Sequence, residues 1–173
     1  MTPEQRTLYD RIVEGPRGQR FSELLDDDGS LRGPFNPLLL QPAIGTAVQD
    51  LGASVRFAGV LADDVRELVI LMVALLLPCE YEWEVHRSLG EAAGLDLDRV
   101  RNAASSNEPE NDGDAHNAVM RACHSLIATA GLPDPEYARL EAMFGAAGVF
   151  ELIAVFGYYS MLGRVINVFG VVE

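Results

Sequence analysis

The chain has 173 residues, 49% of them hydrophobic and 23% charged, with a formal net charge of −13 at pH 7. That profile fits one globular domain with a substantial core. A net charge of that sign disfavours nucleic acid and anionic membrane surfaces as partners, because no basic field exists to attract phosphates. Two cysteines, Cys79 and Cys123, are too few for a secreted disulfide framework. The first residues, MTPEQRTLYDRIVEGPRG, lack the apolar centre of a signal peptide. The longest unbroken apolar run, Leu68 to Cys79, is too short to span a bilayer. The C-terminal apolar stretch is interrupted by Glu151 and Arg164. A cytoplasmic protein without a membrane partner is therefore expected.

In chain order, Thr2 is placed to cap a helix over Pro3 to Glu14, ended by Gly15, Pro16 and Gly18. Phe21 to Ser30 is polar and acidic, with Asp26 to Ser30 as a turn. Gly33, Pro34 and Pro37 mark a loop, and Pro42 opens a helix to about Phe57. Leu38, Leu39 and Leu40 are costly to expose and are expected to cover a pocket or pack on another subunit. Asp63 or Asp64 caps the next helix, whose body ELVILMVALLL is apolar almost all round. Such a helix is buried on every side.

Pro78 breaks that helix, having no N–H to donate and a ring that clashes with the preceding turn. A new helix is expected there, with Pro78 in its first turn and Cys79 beside it, ending near Gly94. A short helix starts at Asp96 to Val100, Ala103 to Gly113 is a polar loop, and Asp114 to Ala130 is amphipathic. Two further helices, Pro133 to Phe144 and Gly148 to about Phe169, complete the chain. No strand-period alternation is visible. The expected fold is all-α, six to eight helices around a buried central one, in a single domain over 1–173 with 1–32 as a helical extension.

The chemistry gathers in Pro78 to Gly94, PCEYEWEVHRSLGEAAG. Cys79, Glu82 and His86 are spaced i, i+3 and i+7, which puts a thiol, a carboxylate and an imidazole on one helical face. Acidic residues near a helix N-terminus also suit its dipole, so a solvated acidic face is the competing explanation. His86 is the best general acid/base, since imidazoles exchange protons near neutral pH. Glu82 is placed to orient it or to act as base. Glu67 opens the central helix and is a further candidate, though Asp64-x-x-Glu67 also has capping-box spacing. Cys79 at a helix N-terminus gains thiolate character from the dipole and loses it to three nearby glutamates. A small buried residue is its alternative role.

Tyr81 is a candidate for contacting a substrate carbonyl, whereas Trp83 is expected in the core. Arg66 and Arg56 are candidates to pair a substrate carboxylate or an internal glutamate. Phe35, Leu39, Phe57, Tyr158 and Tyr159 are candidate pocket walls. Glu82 and His86 alone do not make a metal site, and His116 and His124 are expected at the surface or in structural roles. No Gly-rich phosphate loop or dinucleotide fingerprint is present. No metal and no cofactor are expected.

The run RELVILMVALLLPCEYEWEVHRSLGEAAGL resembles the carboxymuconolactone decarboxylase family, whose relatives include the alkylhydroperoxidase D-like proteins. Arg66, Glu67, Cys79, Tyr81, Glu82, Trp83 and His86 match the family pattern in order and spacing. The resemblance extends outward to GPFNPLLLQPAIGTAVQDLGASVRF and FELIAVFGYYSMLGRVINVFGV. It implies an alkylhydroperoxidase D-like all-α fold and assembly as homo-oligomers, trimers or hexamers. It also implies a proton relay from Glu67 to His86. In redox members a second cysteine stands where this chain has Glu82, so Cys79 has no resolving thiol beside it. Cys123 would serve only if the two Cα atoms came within about 7 Å. The resemblance thus points to carboxylate–histidine chemistry on a small organic acid or lactone, by decarboxylation or a related carbon-acid step. A Cys79 peroxidase and a non-catalytic oligomeric binding protein are the alternatives.

Overall fold

A computed structural model describes residues 1–15, 18, 24–106 and 113–170. Among these residues the chain is helical, with no strand beyond one antiparallel bridge between Leu25 and Leu31. The helices are α1 (Pro3–Glu14), α2 (Phe35–Leu38), α3 (Pro42–Phe57), α4 (Asp63–Leu76), α5 (Glu80–Ala92), α6 (Leu97–Ser105), α7 (Ala115–Thr129) and α8 (Asp134–Phe169). They gather into two compact units, one of residues 1–59 and 164–173, the other of residues 60–163.

In the first unit, α1 starts as its sequence dictates. The Thr2 hydroxyl accepts from the Gln5 amide, the Gln5 side chain accepts from the Thr2 amide, and Pro3 occupies the first turn. Leu8 and Ile12, one helical turn apart, meet Leu24, Leu31, Leu38 and Leu39 in a small core. Leu38 and Leu39 are thus buried within the chain, and Leu40 alone of the three leucines is exposed. The expected loop at Gly33 to Pro37 contains a helical turn, α2. Gly45 on α3 lies against the Leu38 carbonyl, where an added Cβ would approach to 2.2 Å. No larger residue fits that crossing of α2 and α3. The turn expected at Asp26 to Ser30 forms, closed by the Ser30 carbonyl accepting from the Asp26 amide, with Gly29 at φ +81°. Residues 16, 17, 19–23 and 107–112, which include part of that acidic stretch and of the expected polar loop, lie outside the described residues.

In the second unit, α4 is the central helix, packed against α5, α6 and α7. Every residue from Val65 to Ala74 is buried. Each large apolar side chain so enclosed contributes about 1.5–3 kcal/mol. The cap is not the expected one. Ala62 holds the N-cap position without a side-chain bond, and Asp63 and Asp64 fall inside the first turn. There Asp63 accepts from Arg66 at 2.6 Å and Asp64 from His116 of α7 at 2.8 Å. Their carboxylates still favour the positive end of the helix dipole.

Helix α4 ends at Leu76, before Pro78. Cys79 is the N-cap of α5 with extended backbone (φ −141°, ψ 96°), so Pro78 precedes that helix and is not in its first turn. Gly94 follows the Ala93 C-cap at φ +94°, the left-handed geometry that ends helices at glycine. Helix α6 is capped by Asp96, α7 by Asp114. The two helices expected after Pro133 are found within α8, divided by a break at Gly145, whose backbone is not helical (φ 68°, ψ 167°). Only glycine takes that conformation at low cost. By length and composition α8 would also be able to cross a membrane. Its Phe150, Ile153 and Met161 form an exposed apolar stripe, whereas Leu152, Val155, Tyr158, Tyr159 and Leu162 are buried.

Candidate active site

Glu67 lies one turn inside α4 and is buried. A carboxylate in that position requires a partner. It meets His86 of α5: Glu67 Oε2 and His86 Nδ1 are 2.7 Å apart. The capping-box spacing of Asp64 and Glu67 is not in register with the helix start, because Ala62 and not Asp64 is the N-cap. On the other edge of the ring, Glu82 Oε2 stands 3.5 Å from His86 Nε2, the i, i+4 neighbour that the helix period dictates. Glu67, Glu82 and His86 are only 4, 4 and 5% exposed. The competing picture of a solvated acidic face fails for this stripe, though it holds for Glu80 and Glu84, which are exposed.

The donor roles follow from chemistry. A carboxylate accepts, so the Nδ1 hydrogen is donated to Glu67 and Nε2 is the nitrogen turned toward Glu82. Helix α8 closes the third side. Tyr159 packs its ring perpendicular to the imidazole (centroids 5.1 Å apart, planes at 89°), and Tyr158 packs against Tyr159 in the same manner at 5.3 Å and 83°.

Cys79 is a free, buried thiol and Cys123 is another. Burial raises the Cys79 thiol pKa. The amides of Glu82 and Tyr81 oppose that rise, and the Glu82 charge adds to it. The dipole argument for a reactive thiolate is outweighed. Burial alone pushes Cys123 up to about 12. Gly163 of α8 lies beside Cys79: a Cβ there would sit 3.4 Å from the Cys79 Cβ, so the glycine lets the two backbones approach.

The arginines divide. Arg66 is buried and engaged within the chain. Its Nη1 donates to Asp63 at 2.6 Å, its Nη2 to the Leu61 carbonyl at 2.6 Å, and its Nε lies 3.9 Å from Glu151. Glu151 in turn accepts from the amides of Val60 and Leu61. Arg56 is half-buried in the last turn of α3 and belongs to the first unit, as do Phe35, Leu39 and Phe57. Tyr81 is half-buried on α5. Trp83 is buried as expected, with the Arg101 guanidinium 4.5 Å over its ring. His116 and His124 hold structural contacts, to Asp64 and to the Ala103 carbonyl at 2.8 Å. Among the described residues no three histidine, cysteine, aspartate or glutamate side chains converge as metal ligands.

Two residues carry more than their sequence context suggests. Glu151 reads as an interruption of an apolar stretch, yet a charge inside such a stretch signals a buried partner. Tyr159 reads as a pocket wall, and its contact with His86 joins segments 73 residues apart. No curated protein matches the sequence. Residues 42–124, the segment that supplies Glu67, Cys79, Glu82 and His86, match the profile of the Carboxymuconolactone decarboxylase family.

Proposed function

We propose that the protein is an enzyme that moves a proton on a small organic acid or lactone, with His86 Nε2 as the atom that gives and takes it. The observation that carries this reading is the buried 2.7 Å bond between His86 and Glu67, with Glu82 across the ring at 3.5 Å. Glu67 fixes the imidazole in one tautomer and stabilises the positive charge that forms when Nε2 gains a proton. Glu82 receives or resupplies that proton. In a decarboxylation the substrate C–C bond breaks and CO₂ leaves. The electron pair delocalises into the adjacent unsaturated carbonyl, and Nε2–H returns a proton to carbon. Tyr81 is the residue we assign to the substrate carbonyl. The raised thiol pKa of Cys79 weighs against a thiol mechanism, which needs the thiolate.

The test is turnover of an unsaturated γ-lactone carrying a carboxylate, followed by CO₂ release and by deuterium incorporation at the acidic carbon. His86→Ala is expected to lower kcat by about 10²–10⁴, the range for losing a general acid/base, with helicity retained. Parent-level turnover in that variant overturns the reading.

A further inference from the structure

An imidazole that relays protons must hold its ring plane as well as its tautomer. Rotation about the Cβ–Cγ bond carries Nε2 away from its target even when Nδ1 keeps a loose bond to its carboxylate. Glu67 restrains His86 at one atom only. The 3.5 Å separation from Glu82 is too long to act as a second anchor. What remains is the flank of the ring, and there Tyr159 makes a ring contact with His86.

We propose that Tyr159 is a positioning residue for His86. Its ring blocks rotation of the imidazole and keeps Nε2 turned toward Glu82. This rests on the proton-transfer reading above. Three observations support it. The rings meet at 89° with centroids 5.1 Å apart, the edge-to-face arrangement that aromatic quadrupoles favour. Tyr159 is itself held, by a second perpendicular contact with Tyr158, so the stop is rigid. Both tyrosines are buried on the inner face of α8, in the stretch where Gly163 brings that helix against Cys79 at the start of α5. The residue stands outside the segment that matches the family profile, residues 42–124. The contact acts through the ring, so a phenylalanine preserves it and an aliphatic residue does not.

The experiment combines histidine-ring NMR with kinetics. In protein carrying ¹⁵N-labelled histidine, His86 is assigned by the signals that vanish in His86→Ala. The parent is expected to show the Nδ1–H proton bonded to Glu67 and a nuclear Overhauser effect between the His86 and Tyr159 rings. In Tyr159→Leu and Tyr159→Met the Nδ1–H signal is expected to broaden through exchange with water. Their kcat falls about tenfold or more, as misplacement of a reacting group does, while KM stays within about twofold. Tyr159→Phe restores both. A sharp Nδ1–H signal and parent kcat in the Leu and Met variants overturn the proposal. So does a Tyr159→Phe variant as impaired as Tyr159→Leu, which would assign the effect to the hydroxyl. If neither aliphatic variant folds, absence of the inter-ring effect in the parent overturns it, and its presence with a parent-like Tyr159→Phe upholds it. The NMR signals do not depend on turnover. A parent with the ring contact but no proton transfer therefore sinks the functional reading, whereas a parent with proton transfer but no ring contact sinks this one.

Discussion

His86 has two nitrogens with different neighbours, and the proposed proton relay rests on that asymmetry. Nδ1 is saturated by Glu67, so only Nε2 is left to exchange protons. The two thiols show the opposite effect of burial. Cys79 is raised by desolvation and by the Glu82 charge, and Cys123 by desolvation to about 12. Near neutral pH both therefore hold their protons more firmly than a free cysteine, and thiolate is the species that reacts. Iodoacetamide labelling of the folded protein at about pH 8 is expected to be slower than for a free thiol at both positions, and negligible at Cys123. Both should label rapidly in denaturant. Fast labelling of Cys79 in the folded protein contradicts this and reopens thiol chemistry. The residue identities and their spacing were readable from PCEYEWEVHRSLG. The protonation tendency of Cys79 was not, because the sequence shows the helix start but not the burial that outweighs it.

At the level of elements, the helix starts are local and the helix pairings are not. Thr2, Asp96 and Asp114 cap their helices by accepting from amides two or three residues on, contacts set by the sequence itself. The Asp63 or Asp64 cap was misread because both carboxylates find stronger cationic or hydrogen-bonding partners, Arg66 and His116. The second of these pins α4 to α7. Burial alone would raise the Asp64 carboxyl, but the His116 bond and the Val65 amide outweigh it and leave it lowered. The Asn117 amide, with help from Arg99, lowers Asp114. A carboxyl whose folded pKa is depressed stabilises the fold above its unfolded pKa and loses that contribution as pH falls through the folded value. Urea midpoints are thus expected to drop once the pH goes below about 4. Asp114→Ala should cost about 1 kcal/mol near pH 7. That deficit should shrink in acid, where the parent has lost the same bond. A deficit that stays constant from neutral to acid pH would refute the cap assignment.

Across the second unit, one buried charge joins distant parts of the chain. Glu151 of α8 accepts from Val60 and Leu61, just before α4, and faces Arg66 inside it. This fixes the start of the helix that carries Glu67. Replacing both members of a buried pair is often tolerated, but removing one strands the other. Glu151→Ala leaves the Val60 and Leu61 amides unpaired and removes the carboxylate that faces the buried Arg66 guanidinium, and is expected to cost about 3–5 kcal/mol by urea denaturation. A loss below about 1 kcal/mol, the level of an exposed pair, would show the network to be unimportant. The sequence by itself determined the helical class, the buried character of α4, the cap at Thr2, and the i, i+4 pairing of Glu82 with His86. All of these depend on periodicity or on neighbours within a turn or two. Only the tertiary structure decided that Glu67 reaches His86, that Arg66 faces Glu151, and that Tyr159 flanks the imidazole. Those contacts join residues 19, 85 and 73 positions apart. No local period encodes which buried faces of separate helices meet; that is settled by how their side chains pack together and which buried charges must be paired.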